Sequence, residues 1–255
     1  MKKNRIAIIV AILLLVCSFN LLALAVVYYK VEDNAINFRY SDDSEYSNIQ
    51  EGIDFISKLP IQFNITNKFF SNFDNLDADT RESIILAYAI KNRYNTYKCD
   101  DDICIDRDSL NSEELLEKFN TKKKMSLEKI KLYIDDYGAY NIKVGKNSNT
   151  YRIKLDSDNH KYRKYSSFSH YKETNDVYTF YFYEGFFKAN CYKGDKLELY
   201  DFITGDVVYS DTCNGYNDFA VLASDNIKKL QLYKYELKKD ENGKFYISGY
   251  NPVNS

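Results

Sequence analysis

Residues 6–29 make a run of 24 without a single charge, interrupted in apolar character only by Ser18 and Asn20. A helix of that length, rising 1.5 Å per residue, reaches about 36 Å and crosses a hydrocarbon core of about 30 Å with some tilt. Lys2, Lys3 and Arg5 precede the run, whereas Lys30 is followed at once by Glu32 and Asp33. The positive-inside bias therefore puts the N-terminus in the cytoplasm and everything after the run outside. This predicts a cytoplasmic tail over 1–5, a transmembrane helix over 6–29, a linker over 30–43 and one extracytoplasmic domain over 44–255.

Two rival readings compete for the same segment. Ala23-Leu24-Ala25 fits a small-x-small cleavage site, so secretion after signal-peptide cleavage near Ala25 is the alternative localisation. The apolar run is longer than the roughly 7 to 15 residues of a signal peptide, and apolar residues continue past the cut, which favours the anchor. Lipid attachment at Cys17 would need a small residue before it, and Val16 stands there.

Composition narrows the outer part. Beyond Lys30, 31 basic residues face all 37 acidic ones, a net charge of −6. A mildly acidic domain gains nothing from an anionic surface, so nucleic acid is not an expected partner. With 2 His in the whole chain, no histidine-based metal centre or cofactor is expected. Four cysteines remain outside the membrane: Cys99, Cys104, Cys191 and Cys213. An even count in an oxidising compartment reads as two disulfides, with three possible connectivities. Proximity favours Cys99 with Cys104 across CDDDIC, and Cys191 with Cys213.

Periodicity divides this part in two. Ile49, Ile53, Ile56 and Leu59 recur at helical spacing until Pro60 closes the run. A second helix is predicted from about Thr80 to Arg93, capped by Asp79 with Glu82 and burying Ile84, Ile85, Tyr88 and Ala89. A short third is predicted over SEELLEKF, capped by Asn111, with Leu110 stapled onto Leu115. From Lys131 the pattern alternates, and Gly185, Gly194, Gly205 and Gly215 punctuate it at near-regular intervals. VYTFYFYEG, FFKANCYKG, KLELYDFITG and DVVYSDT read as strands between those glycines. IKVGKNSNTYRIKL reads as a hairpin, and YKYELKKDENGKFYISGY as another turning at Asn242-Gly243. SLEKIKLYI fits both templates. The expected class is α+β: two to three amphipathic helices followed by a Tyr-rich antiparallel sheet, carrying much of the chain's 25 Tyr and 16 Phe.

The motifs that bear chemistry are few. No GxSxG, HExxH, GxGxxG, P-loop or CxxC occurs. YSDTC, ending at Cys213, resembles the Thr-Cys strand end of a sortase, which would make Cys213 a nucleophile and His170 or His160 its base. Such an enzyme also needs a downstream Arg for the oxyanion, and the last Arg here is Arg163. The aspartates of CDDDICIDRD lack the central Gly of a calcium loop. HKYRKYSSFSHYK mixes bases with aromatics, and a strand face explains it better than a nucleic-acid site. In YTFYFYEG, Tyr178, Phe180 and Phe182 share one face, and Tyr181 and Tyr183 the other. Tyr181 and Tyr183 are thus the candidate platform for a glycan or peptide.

The whole plan, a basic start, one anchor, helices and a tyrosine-rich sheet closing on YKYELKKDENGKFYISGY, resembles the many single-pass envelope proteins of bacteria with AT-rich genomes. That resemblance implies a place in the bacterial envelope and transfers no active residue; it is the anchor, with the absence of a catalytic set, that leads to the expectation of an outward-facing binding domain with another envelope protein as partner. A cystatin-like curved sheet packed on a helix fits the same plan by fold-level analogy.

Overall fold

The computed structural model describes residues 43–100, 102–126, 129–134, 138–144, 149–155, 162–188, 196–212 and 223–253. The expected transmembrane helix over 6–29 lies outside them, as do Cys17, His160, Cys191 and Cys213. Among the described residues no helix is long and apolar enough to cross a membrane. The chain divides into residues 1–47, described only where the first helix begins, and residues 48–255, which hold everything below.

The helical half forms where the spacing requires. α1 (Asp43–Ser57) buries Ile49 and Ile56, with Ile53 half-buried beside them. Pro60, its backbone extended, cannot continue α1 and instead caps α2 (Ile61–Ile65), four of whose five residues are buried. α3 (Ala78–Lys91) starts two residues before its predicted start. Asp77, not Asp79, is the cap: its carboxylate accepts the Thr80 N–H at 2.8 Å and the Thr80 hydroxyl at 2.8 Å. Glu82 does not close a capping box, but reaches forward to accept from the Ser126 N–H and hydroxyl. Every residue from Arg81 to Ile90 is buried, so α3 is a central helix rather than one with a single apolar stripe. The expected third helix is α5 (Glu113–Glu117), and a further short helix, α4 (Arg107–Leu110), precedes it. Asn111 stands between them and accepts from the Met125 N–H, so Ser112 takes the cap position.

Strands make two antiparallel sheets where the sequence suggested one. The first runs β1-β2-β5-β4-β3, from β1 (Thr96–Cys99), β2 (Asp102–Asp106), β3 (Lys129–Ile134), β4 (Gly138–Val144) and β5 (Thr150–Leu155). Lys129–Ile134 of the ambiguous SLEKIKLYI forms strand β3, and the predicted hairpin is β4–β5. The second holds β6 (Tyr162–Thr174), β7 (Val177–Lys188), β8 (Lys196–Tyr200), β9 (Val207–Thr212), β10 (Gln231–Lys239) and β11 (Phe245–Pro252). A strand has two edges, and β6 pairs with β7 along its whole length on one of them. β10 and β8 consequently share the other, β10 along Tyr178 to Glu184 and β8 at Phe186 and Phe187.

Gly185, expected to end a strand, lies inside β7. A Cβ there would come within 2.7 Å of the Tyr200 carbonyl oxygen and of Leu230 Cδ2, so the glycine admits a close neighbour instead of making a turn. Gly243 does turn the final hairpin, at φ +77°, with Asp240 Oδ1 accepting from the N–H of Asn242 and of Lys244.

One large core joins the helices to both sheets, through Ile105, Leu132 and Tyr151 of the first and Phe180, Tyr235 and Ile247 of the second. It is aromatic at its centre: Phe63 meets Tyr250 edge-on at 4.8 Å, and Phe73 meets Phe119 at 4.8 Å. A smaller cluster of Phe187, Leu197, Leu199, Ala223 and Leu230 is separate from it.

Candidate functional site

Strand β7 presents both of its faces to chemistry. On the face toward the main core, Phe180 and Phe182 are buried, and so is a charge, Glu184 at 0% exposure. Its carboxylate is fully engaged. Lys164 Nζ lies 2.8 Å from Oε1, and the Ser166 hydroxyl donates to the same oxygen at 2.9 Å. Asn64 Nδ2 and the Tyr235 hydroxyl donate to Oε2 at 2.7 and 2.6 Å. Asn64 also donates to the Tyr250 hydroxyl at 2.7 Å. β6, β7, β10, β11 and α2 each supply a member, so the network forms only when the strands are in register.

Burial, reinforced by the Glu184 charge, pushes the Tyr235 and Tyr250 hydroxyls well above their ordinary value of 10. Tyr233 is raised as well, by burial first and then by the Asp201 and Glu184 charges. Beside this network lies a cleft of about 410 Å³ between α1 and β6, walled by Ile53, Ile56, Phe168 and Phe182 with Lys91 and Lys164.

On the other face, Tyr181 and Tyr183 are both half-buried, but they do different things. Tyr181 is stacked on His170, its cross-strand partner, with ring centroids 4.0 Å apart and planes 11° from parallel. Tyr183 packs against the smaller core cluster and lines a cleft of about 540 Å³ with Asp201, Thr204, Asp206, Lys228 and Leu232. Asp201 builds this cleft: it accepts from the Ile203 and Thr204 N–H groups at 2.8 and 3.0 Å and from the Gln231 N–H at 3.3 Å. Gly205, at φ +70°, completes the turn into β9.

No known family, curated protein or solved structure matches the chain.

The other residues singled out in the sequence fall as follows. Cys99 and Cys104 are joined as a disulfide across the β1–β2 hairpin, their Cα atoms 5.9 Å apart. Three acids of that hairpin are engaged: Asp100 lies 3.3 Å and Asp102 3.9 Å from Arg152, and Asp106 accepts from Thr150 and Tyr97. Cys191 and Cys213, and with them the expected second disulfide and the sortase-like nucleophile, lie outside the described residues. His170, the suggested base, has the Ser169 hydroxyl 3.0 Å from Nδ1 and Tyr181 against its ring. HKYRKYSSFSHYK is largely strand β6, with Lys164 turned to Glu184 and Phe168 packed on the core.

Sequence reasoning missed the Glu184 network. A signal was present, since a carboxylate in the middle of YTFYFYEGFF must be paired if that strand is central. Nothing in the sequence pointed to Asn64 or Lys164 as its partners.

Proposed function

We propose that the chain is a single-pass membrane protein, anchored by residues 6–29, whose α+β domain stands outside the cytoplasm and binds another protein of the cell envelope. The observation that carries this reading is the Cys99–Cys104 disulfide, because such bonds persist in oxidising compartments, the side to which the flanking charges direct the domain. The use of polar groups supports binding over catalysis. Glu184, the buried carboxylate, is held by four donors, an arrangement that fixes shape and leaves no lone pair poised for a substrate. α1 lies against β7, close enough that a Cβ on Gly52 would fall 2.0 Å from Phe180 Cζ, and this supports a cystatin-like sheet packed on a helix.

Protease added to intact cells should remove the domain, and non-reducing mass spectrometry of the released fragment should recover Cys99 bonded to Cys104. Full protection, or two free thiols, overturns the topology. In-cell cross-linking should then capture an envelope protein. A second reading, a glycan- or peptide-binding sheet, is favoured by the placing of Tyr183 in a cleft.

A further inference from the structure

We propose that the Tyr183 cleft binds a neutral saccharide. The argument starts from which of its groups are already spent. Asp201 is consumed by three backbone N–H groups, and Lys229 by Asn226 Oδ1 at 2.9 Å and by the Tyr209 ring. The Gln231 amide nitrogen is consumed by the Leu232 and Val253 carbonyls, both at 2.8 Å. Among the described residues, the Asp206 carboxylate, the Lys228 ammonium, the Tyr183 hydroxyl and Gln231 Oε1 retain their capacity for hydrogen bonds. Together they offer one anionic acceptor, one cationic donor, one hydroxyl that does either, and one neutral acceptor, around an aromatic ring.

That set is matched by a polyol. Sugar hydroxyls both donate and accept, and the C–H face of a sugar ring packs on an aromatic side chain part of which, in Tyr183, is left uncovered by the smaller core cluster. The charges of the lining cancel, Asp201 and Asp206 against Lys228 and Lys229, which disfavours a phosphate or other polyanion. A wholly apolar ligand would give the exposed Asp206 and Lys228 at the rim no partner, whereas a sugar offers them hydroxyls and turns its C–H faces to Ile203, Val208, Leu232 and Val253 of the same lining. At about 540 Å³ the cleft lies within the range of about 300–1,000 Å³ that small-ligand sites occupy.

The test is calorimetric titration of the full chain in lipid nanodiscs with cellobiose, with diacetylchitobiose and with the zwitterionic dipeptide glycyl-tyrosine. Saturable binding of either disaccharide is expected, and which of the two binds identifies whether acetamido groups are required. Asp206→Asn and Lys228→Gln each lower the affinity about tenfold, the loss of one hydrogen bond to a charged group. Both positions are exposed and their side chains hold nothing else in place among the described residues, so these variants are expected to fold. Tyr183→Phe keeps the ring and loses less than Tyr183→Ala. The proposal is overturned if neither disaccharide saturates, if both exposed variants bind as well as the parent chain, or if the dipeptide binds and the sugars do not. It rests on the binding reading above but not on the topology: sugar binding with a protease-protected domain sinks the topology alone, and a shaved domain that ignores sugars sinks this proposal alone.

Discussion

The two faces of β7 are built from nearly the same residues and have opposite fates. Phe180, Phe182 and Glu184 are sealed under α1, α2 and the neighbouring strands, whereas Tyr181 and Tyr183, one residue out of step, remain half-open. The difference lies less in the side chains than in what covers them. An aromatic facing helices becomes core, and one facing short loops becomes a wall of a cleft. Sealing also changes the polar chemistry: the closed face holds a charge only because four donors meet it, and the open face leaves acceptors and donors to solvent.

The sharpest way to break that contrast is on the sealed side. Glu184→Ala leaves Lys164 as an uncompensated charge with 8% of its side chain exposed, and should cost about 3–5 kcal/mol in denaturant unfolding. Replacing Lys164 by Met and Glu184 by Leu together should recover part of that loss, since the double change leaves no buried charge. If the single variant is as stable as the parent, the network has no structural role. Alkaline titration probes the same core. Tyr88 is pushed up to about 12 by burial, and Tyr235 and Tyr250 are raised well above 10. These groups titrate near 10 when unfolded, so their contribution is complete below that pH and is lost as pH rises toward the folded values. Absorbance at 295 nm should therefore show a late tyrosine fraction that ionises together with loss of near-ultraviolet circular dichroism; if every tyrosine titrates before any loss of structure, the buried assignment fails.

A smaller effect is expected at the point where the open face is closed by the second cluster. Gly185→Ala sets a methyl group 2.7 Å from the Tyr200 carbonyl oxygen, a backbone atom that cannot swing aside, and should cost about 1–3 kcal/mol. Below it comes the α3 cap. Asp77→Ala should cost about 1 kcal/mol and Asp79→Ala much less, which reverses the order expected from the capping-box pattern. The Thr80 N–H and hydroxyl hold the Asp77 carboxyl below its ordinary 3.8, so this stabilisation is present above that pH and disappears as pH falls through the lower folded value. Comparing melting temperatures of parent and Asp77→Ala across that range should show the two curves converge in acid.

These positions mark how far the sequence could be read. Period and turn chemistry are local, and they placed α1, the Asn242-Gly243 hairpin, the Cys99–Cys104 loop and the aromatic strand. What failed was whatever depends on distant chain. Only Asp79 has an acid three residues on, as a capping box requires, but Glu82 was drawn away by Ser126, 44 residues on, and Asp77 took the cap. Gly185 matched the spacing of turn glycines, but its reason is the backbone of β8 passing beside it. The division into two sheets depends on which strands meet, and alternation carries no record of that. Of the candidate site, Tyr181 and Tyr183 were legible from alternation alone, whereas the cleft around Tyr183 is assembled from the β8–β9 turn and the residues before β10.

The smallest expected effect is the most direct measure of the two faces. Tyr181 and Phe182 are chain neighbours of similar size in one strand, paired across β6 with His170 and Phe168. Phe182 is buried at 5% exposure and touches Phe168 and Tyr235 edge-on at 5.5 and 5.8 Å, so Phe182→Ala opens a cavity and should cost about 3–5 kcal/mol. Tyr181→Ala removes one stacked cross-strand pair whose partner, His170, is already exposed to water, and should cost about 0.2–1 kcal/mol. Water fills the space left at position 181 but not the cavity at 182, and that is the physical origin of the gap. Equal losses at the two positions would mean that the outer face is covered in the folded protein, and would remove the basis for treating its tyrosines as a surface open to ligand.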